Sequence, residues 1–387
     1  MFSWTIPFLV FVAFFWLLSQ VDVFFIKLSH SHRFLLLSLA LCILMVFAGG
    51  RWSHYEVGYD MPIFDYSTYK NVYLSPLNIF YFGEELKNAN YEIRSMEPGY
   101  VFYSSFCSLL FGSHYNLYLL FTNILLVVLF FKSLKNNEIK KAYLFLFFFL
   151  AVRLYLQYHF ILLRQAIALS IIWAWGFPCI VRGERAKFVL YVLMAATFHF
   201  TALISLAALV FKRSFNVIYC VLGFVVLLVL NLTGVIDQLF LSLMQKGVAI
   251  AGFPDALGEK VAKYVQDDEG RSLNMLTFIE AIPFGYIAMR YKRKLCCNPF
   301  GRFYHNMFYV FILLLALTMN FGFLTRACQY FMFSYFFLLA FYFQTARQTM
   351  EKKLFLFLLS CYFLVYSVRY IFIWFYDTEY SFFLFEI

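Results

Sequence analysis

The stretch ILLRQAIALSIIWAWGFPCIV, residues 161–181, decides the fold class of this chain. It is apolar almost throughout, with an arginine and a glutamine close to its start. An α-helix rises about 1.5 Å per residue, so a run of this length spans roughly 30 Å, the hydrocarbon thickness of a bilayer. The sequence therefore predicts a membrane-spanning helix at this position.

The rest of the chain has the same character. Of its 387 residues 63% are hydrophobic and 13% are charged, and the mean hydropathy is +0.76. Soluble domains have about 45–50% apolar and about 25% charged residues. The composition predicts an all-α polytopic membrane protein, a single integral membrane domain over residues 1–387 with about 11–13 transmembrane helices.

The net charge of +10 comes from basic residues in short connectors between apolar runs. These connectors are residues 132–141, 182–187, 290–294 and 347–353. Such clusters are typical of cytoplasmic loops, so the charge indicates orientation and no nucleic-acid partner. Acids outnumber basic residues in the two long polar stretches, 50–98 and 233–273, which we interpret as the first and second outer loops.

Two apolar runs do not fit simple crossings. Residues 99–112 are too few to span the bilayer easily. The first outer loop and the basic connector at 132–141 are assigned to opposite sides of the membrane, so an odd number of crossings must separate them. One of the apolar runs between them must therefore stay on the outer side. Residues 187–211 are basic at both ends and fit two short helices turning near His199. We predict a re-entrant or broken helix at each of these places. Such helices are stable within the membrane only where their backbone is buried in protein or lines a water-filled cavity.

Four arginines lie within apolar runs: Arg153, Arg164, Arg326 and Arg369. An arginine at the centre of a membrane helix costs about 2.5–3.5 kcal/mol, and the one acid inside an apolar run is Glu280. Arg153 and Arg369 have an alternative explanation, because arginine near a helix end can extend to the headgroups. Arg164 and Arg326 favour an anionic ligand, since the forked guanidinium matches phosphate oxygens.

Tyrosines and acids crowd the first outer loop, where aromatic rings could stack on sugars or simply anchor the interface. Asp60, Asp65 and Glu97 lie near membrane entries or helix starts and are candidate general bases, or else solvated loop acids. His199, between two phenylalanines, is a further candidate base or an ordinary core histidine.

Six motifs in series resemble the EpsG-type family of polysaccharide polymerases. They are Gly58-Tyr59-Asp60, Asp65-Tyr66-Ser67-Thr68-Tyr69 with Tyr73, Glu97-Pro98-Gly99-Tyr100, Arg164-Gln165-Ala166-Ile167-Ala168, His199-Phe200-Thr201-Ala202-Leu203, and Arg326 with Tyr330-Phe331. The family usually has an aspartate directly followed by tyrosine in its first motif. Here Met61 follows Asp60 and the Asp-Tyr pair recurs at 65–66, so either aspartate can occupy the family position.

The resemblance implies a Wzy-like glycosyltransferase with GT-C-like architecture on the outer face of the bacterial cytoplasmic membrane. Donor and acceptor would be glycans on undecaprenyl pyrophosphate, and a chain-length regulator is a further expected partner. We expect four arginines to hold the pyrophosphate (Arg164, Arg326, Arg153, Arg369), one of four groups to act as the base (Glu97, Asp60, Asp65, His199), and five residues to contact the substrate (Tyr66, Tyr69, Tyr100, Gln165, Tyr330).

Two other functions remain open. A lipid-linked oligosaccharide flippase would also need buried arginines, although it should have two similar halves, and an O-antigen ligase differs in its acceptor. No Asp-x-Asp motif occurs, so we predict a metal-independent reaction without a cofactor.

Overall fold

The computed structural model describes residues 5–20, 30–49, 51–52, 66–139, 154–156, 158–159, 162–211, 214–236, 238–239, 242, 275–320, 326–345, 349–374 and 381–382. These residues form helices joined by short turns. In chain order the helices are α1 (Thr5–Gln20), α2 (His30–Gly49), α3 (Tyr66–Leu74), α4 (Phe82–Asn88), α5 (Tyr91–Arg94), α6 (Pro98–Phe111), α7 (Tyr115–Asn136), α8 (Leu163–Ile171), α9 (Phe177–Val181), α10 (Arg185–Phe198), α11 (Val217–Leu232), α12 (Met275–Arg290), α13 (Lys292–Cys296), α14 (Pro299–Thr318), α15 (Phe333–Thr345) and α16 (Thr349–Trp374).

Shorter elements complete the secondary structure. Segments of 3₁₀ helix run over Ile79–Tyr81, Phe200–Val210 and Gln329–Met332, a π-helical segment over Ile172–Gly176, and a single helical turn over Leu154–Leu156. Two strands of two residues each, β1 (Arg51–Trp52) and β2 (Ser381–Phe382), pair antiparallel, with Arg51 opposite Phe382.

Three helices in the described part of the chain are long and apolar enough to cross a membrane. They are Tyr115–Asn136, Leu163–Val181, which runs from α8 through the π segment into α9, and Pro299–Thr318. The prediction of a helical membrane protein is confirmed at this level, and the stretch quoted first is one of the three. The larger number of crossings and the GT-C-like architecture stay predictions.

The chain forms two compact units. The first comprises residues 1–178, 187–200 and 346–387, and the second residues 179–186 and 201–345. The single membrane domain over 1–387 therefore stays a prediction. The stretch predicted as the first outer loop, 50–98, falls in the first unit, and most of the stretch predicted as the second, 233–273, lies outside the described residues.

In the first unit, α7 packs against α2 on one side and the π segment on the other. A Cβ on Gly49 would come within 2.6 Å of Leu120 Cα, so only glycine permits this close approach of α2 to α7. A π segment displaces backbone carbonyls from regular helical hydrogen bonding. The side-chain amides of Asn136 and Asn137 donate to the carbonyls of Ala174 and Trp173, at 2.7 and 3.0 Å. Polar side chains at the end of α7 thus stabilise the break in the neighbouring helix.

The second half of the predicted first outer loop is folded against α6. The Leu77 amide donates to Ser105 Oγ at 3.0 Å, and the Tyr73 hydroxyl donates to the Gly112 carbonyl at 2.7 Å. Gly112 ends α6 with φ at +60°, a conformation that favours glycine. Burial raises the pKa of Tyr73 to about 12, so its hydroxyl keeps the proton that it donates.

Both irregular apolar runs are short or broken in the structure. Helix α6 has 14 residues, about 21 Å at 1.5 Å per residue, less than the roughly 30 Å hydrocarbon core. Helix α10 ends at Phe198 and a 3₁₀ segment begins at Phe200, so the predicted break at His199 is present. That either run re-enters the membrane stays a prediction.

In the second unit, α14 carries the buried polar contacts. The Asn306 side chain accepts from the Phe215 amide at 2.9 Å and donates to the Phe211 carbonyl at 3.3 Å. These bonds satisfy backbone groups where the 3₁₀ segment ends and α11 is about to begin. Phe284 of α12 stacks on Tyr335 of α15 with ring centroids 3.9 Å apart, and Glu280 is buried on α12.

Candidate functional site

Three of the predicted site residues meet in the first unit. Arg164 Nη1 donates to Glu97 Oε2, forming an ion pair, and the guanidinium carbon lies 5.8 Å from the centroid of the Tyr69 ring. The side chains of Arg164 and Glu97 keep 16% and 20% of their exposure, so both remain reachable from outside. We call Tyr69, Glu97 and Arg164 the Glu97 site.

Helix termini position both charged groups of the Glu97 site. Glu97 is the N-cap residue of α6 and Pro98 is its first residue, where the missing proline N–H costs nothing. The Glu97 side chain makes no capping hydrogen bond, because its carboxylate is directed to Arg164. A carboxylate at this end of a helix is also stabilised by the helix dipole.

Arg164 is the second residue of α8, and the N-cap residue Leu162 provides no capping side chain. The positive end of a helix dipole favours negative charge. Arg164 therefore places a guanidinium at a helix start whose dipole also favours an anion.

Six tyrosines from α3, α6 and α7 pack behind the Glu97 site. They are Tyr69, Tyr73, Tyr100, Tyr103, Tyr115 and Tyr118, and we call them the tyrosine cluster. The rings of Tyr69 and Tyr100 are 5.3 Å apart, and the hydroxyls of Tyr100 and Tyr118 share a hydrogen bond of 2.8 Å. The cluster therefore packs against Tyr69, whose ring lies beside the guanidinium.

A close contact at Gly99 brings α10 to the same place. A Cβ on Gly99 would lie 2.8 Å from Thr197 Cβ, so glycine is required for α6 and α10 to approach. Tyr103 and Phe198 also meet, with ring centroids 6.3 Å apart. The end of α10, which immediately precedes His199, therefore packs against α6.

One expectation about the arginines was wrong. The sequence offered Glu280 as the acid within an apolar run, which left Arg164 without a counterion. In the structure Arg164 pairs with Glu97, which is 67 residues away and lies just before an apolar run. The pairing arises from tertiary packing, which a search within apolar runs cannot detect.

The remaining predicted residues are divided among several places. Tyr100 and Gln165 are almost fully buried in the first unit, so their placement is that of supporting residues. In the second unit Arg326 is exposed, while Tyr330 is buried and its hydroxyl accepts from Thr201 Oγ1 at 3.5 Å. Asp60, Asp65 and Arg153 lie outside the described residues, as do the side chains of Tyr66 and Arg369.

A buried polar pair elsewhere in the first unit had not been predicted. His159 is buried, with Nδ1 2.7 Å from Asn123 Oδ1, and its ring lies on that of Tyr155 at 4.7 Å. His159 and Asn123 both lie in or beside apolar runs, where a polar side chain requires a partner. This pattern could have predicted the pair.

No group of three or more His, Cys, Asp or Glu side chains is placed to hold a metal ion among the residues that the structure describes. All eight cysteines are free thiols. The metal-independent reaction stays a prediction.

Comparison with known proteins identifies one family. The family model described as EpsG family matches residues 34–386, which includes every motif named above. No curated protein and no solved structure matches the chain.

Proposed function

Because the chain belongs to the EpsG family, we propose that it is a polysaccharide polymerase that extends a glycan on the outer face of the bacterial cytoplasmic membrane. Its substrates would be repeat units carried on undecaprenyl pyrophosphate. One repeat unit is the donor, and a second carrier presents the acceptor.

A single observation carries this proposal: the Glu97 site joins a guanidinium, a carboxylate and an aromatic ring at two helix starts. Transfer from a lipid pyrophosphate to a sugar hydroxyl needs stabilisation of the leaving diphosphate and a base for the hydroxyl proton. One compact site, partly open to the outside, offers a group for each task.

Arg164 stabilises the leaving group in this mechanism. The acceptor oxygen forms a bond to the anomeric carbon of the donor as the bond between that carbon and the pyrophosphate oxygen breaks. Negative charge then grows on the pyrophosphate, and a positioned cation in a poorly hydrated site lowers the energy of that charge. The positive end of the α8 dipole adds to the same effect.

Glu97 has two separate tasks, one for each carboxylate oxygen. Oε2 accepts from Arg164 and holds the guanidinium in place. Oε1 has no hydrogen-bond partner among the described residues, and we assign it to accept the proton of the acceptor hydroxyl. Asp60, Asp65 and His199 remain alternative bases. The case for His199 is supported by the contact of Thr197, two residues before it, with Gly99.

Other residues of the first unit support this centre. Tyr69 provides an aromatic face beside the guanidinium, and the buried side chains of Tyr100 and Gln165 support it from inside. The roles predicted for Arg326, Tyr330, Arg153, Arg369 and Tyr66 stay predictions.

The test uses the full chain purified into liposomes. Lipid-linked repeat units are extracted from a host strain that lacks the gene for this chain, so that they carry the native sugar without its identity being known. We expect a ladder of glycan lengths on a gel, formed without added nucleotide sugar. Absence of a ladder from folded protein would contradict the polymerase.

The same preparation separates the polymerase from a flippase. Periodate added outside the liposomes oxidises only the glycans that it can reach. A flippase would change the fraction of protected glycans while their length stays at one repeat unit, whereas a polymerase lengthens the accessible glycans.

A further inference from the structure

A groove on the first unit lies apart from the Glu97 site. It runs between α2 and α7, with Leu41 and Met45 on one wall and Val128 and Phe131 on the other. Its cavity volume is about 360 Å³, at the lower end of the roughly 300–1,000 Å³ range of small-molecule sites. This volume suits one hydrocarbon chain better than a whole lipid.

Two lysines, Lys132 and Lys135, line one end of this groove. Residues three apart lie on the same face of a helix, so both ammonium groups extend from the face of α7 that forms the wall. Lys132 Nζ also lies 5.1 Å from the centroid of the Trp175 ring, a cation–π contact with the π segment. No Asp or Glu lines the groove, and neither lysine pairs with an acid in the described part of the chain.

The apolar wall and the two lysines follow one another along α7, and their order indicates which kind of molecule fits the groove. From Val127 to Lys135 the helix rises about 12 Å, close to half of the roughly 30 Å hydrocarbon core. The apolar part of this wall, Val127 to Phe131, rises only about 6 Å, so it contacts the part of an acyl chain nearest the headgroup, and the lysines mark the headgroup side. The connector after α7 is one of the basic connectors that the sequence assigns to the cytoplasm.

We propose that this groove binds one anionic phospholipid of the cytoplasmic leaflet. An acyl chain lies between α2 and α7, and the phosphate contacts Lys132 and Lys135. Charge complementarity favours this occupant, because a groove with an apolar wall and a cationic end matches an anionic lipid and offers nothing to balance the cation of a zwitterionic headgroup. This site is independent of the polymerase chemistry.

The test measures lipid retention by native mass spectrometry of the purified full chain after delipidation in detergent. We expect one phosphatidylglycerol to remain bound per chain and no phosphatidylcholine under the same conditions. Changing Lys132→Gln and Lys135→Gln together should weaken phosphatidylglycerol binding by about 30-fold, from the attraction of two basic residues to an anionic lipid. The matched control, Lys352→Gln with Lys353→Gln, removes the same charge from another basic connector and should retain the lipid.

A second variant tests the apolar wall with both lysines in place. Val128 is exposed, so Val128→Trp should fold, fill the groove and abolish retention. Equal retention of both phospholipids, retention that survives the paired change at Lys132 and Lys135, or displacement of phosphatidylglycerol by equimolar undecaprenyl phosphate would each overturn the proposal.

Discussion

Replacing Arg164 with lysine tests the leaving-group assignment most directly. Lysine keeps the positive charge but replaces the forked donors of the guanidinium with one compact ammonium. In the structure one arm of the fork is held by Glu97, so a lysine that keeps this pair reaches the diphosphate less well. Losing one charge-assisted hydrogen bond costs about 1.5–3 kcal/mol, and since about 1.4 kcal/mol corresponds to a factor of ten, we expect chain extension to slow by about 10- to 150-fold.

Arg164→Met removes the charge as well and sets the upper limit of the effect. Removing a positioned group that stabilises transition-state charge costs about 2.7–4 kcal/mol, or a factor of about 10²–10³ in rate. The protein should still fold, because the pair is partly exposed and losing its hydrogen bond costs about 1.5–3 kcal/mol of a stability of about 5–15 kcal/mol. Adding Glu97→Gln to Arg164→Met should recover stability without recovering activity.

The assay is the initial rate of ladder formation in liposomes at saturating donor, normalised to folded protein by thermal unfolding. Arg185→Lys makes the same chemical change at an exposed site in a basic connector and should leave the rate unchanged. Wild-type rates and full polymer length in both Arg164 variants, with normal unfolding temperatures, would refute the assignment.

Three further predictions concern the same unit. Glu97→Gln should lower the rate by about 10²–10⁴, with donor binding little changed in a filter assay; an active Glu97→Gln variant would move the base to another residue. Gly99→Ala should destabilise the protein by about 1–3 kcal/mol through its clash with Thr197, whereas Gly83→Ala, which meets nothing within 4 Å, should leave the unfolding temperature unchanged or raise it; equal effects would contradict the close contact. Tyr73→Phe should cost about 1 kcal/mol. Burial raises the pKa of Tyr73 in the folded protein to about 12 from 10.0. Between pH 10 and 12 the unfolded chain therefore loses this proton while the folded chain keeps it, so the wild type should lose stability there and the variant should lose less. Identical curves of stability against pH would contradict the burial of Tyr73.

Much of the fold could be predicted from residue patterns. Apolar runs of sufficient length identified the membrane class, and the membrane-length helix Leu163–Val181 coincides with the apolar run at 161–181. The break at His199 was also predictable, because basic residues at both ends of a run argue against a single crossing. These features depend only on residues that are close together along the chain, so they can be predicted from the sequence.

The residues of the Glu97 site could be predicted from the sequence, but their contacts with one another could not. Tyr69, Glu97 and Arg164 were each selected for separate reasons, and the structure brings them into contact. Their mutual arrangement was not predicted, since Glu97 was considered as a base and Arg164 as a cation without an acid. Tyr100 lies inside the tyrosine cluster, and its predicted contact with substrate stays a prediction.

The sequence by itself determined that this chain enters a membrane as helices and belongs to the EpsG family, since hydrophobic length and short motifs are properties of neighbouring residues. Only the tertiary structure decided which charges neutralise one another. A carboxylate before one helix and a guanidinium in the first turn of another meet because Gly99 and the tyrosine cluster let those helices approach, and electrostatic energy depends on that distance in space and on the exclusion of water.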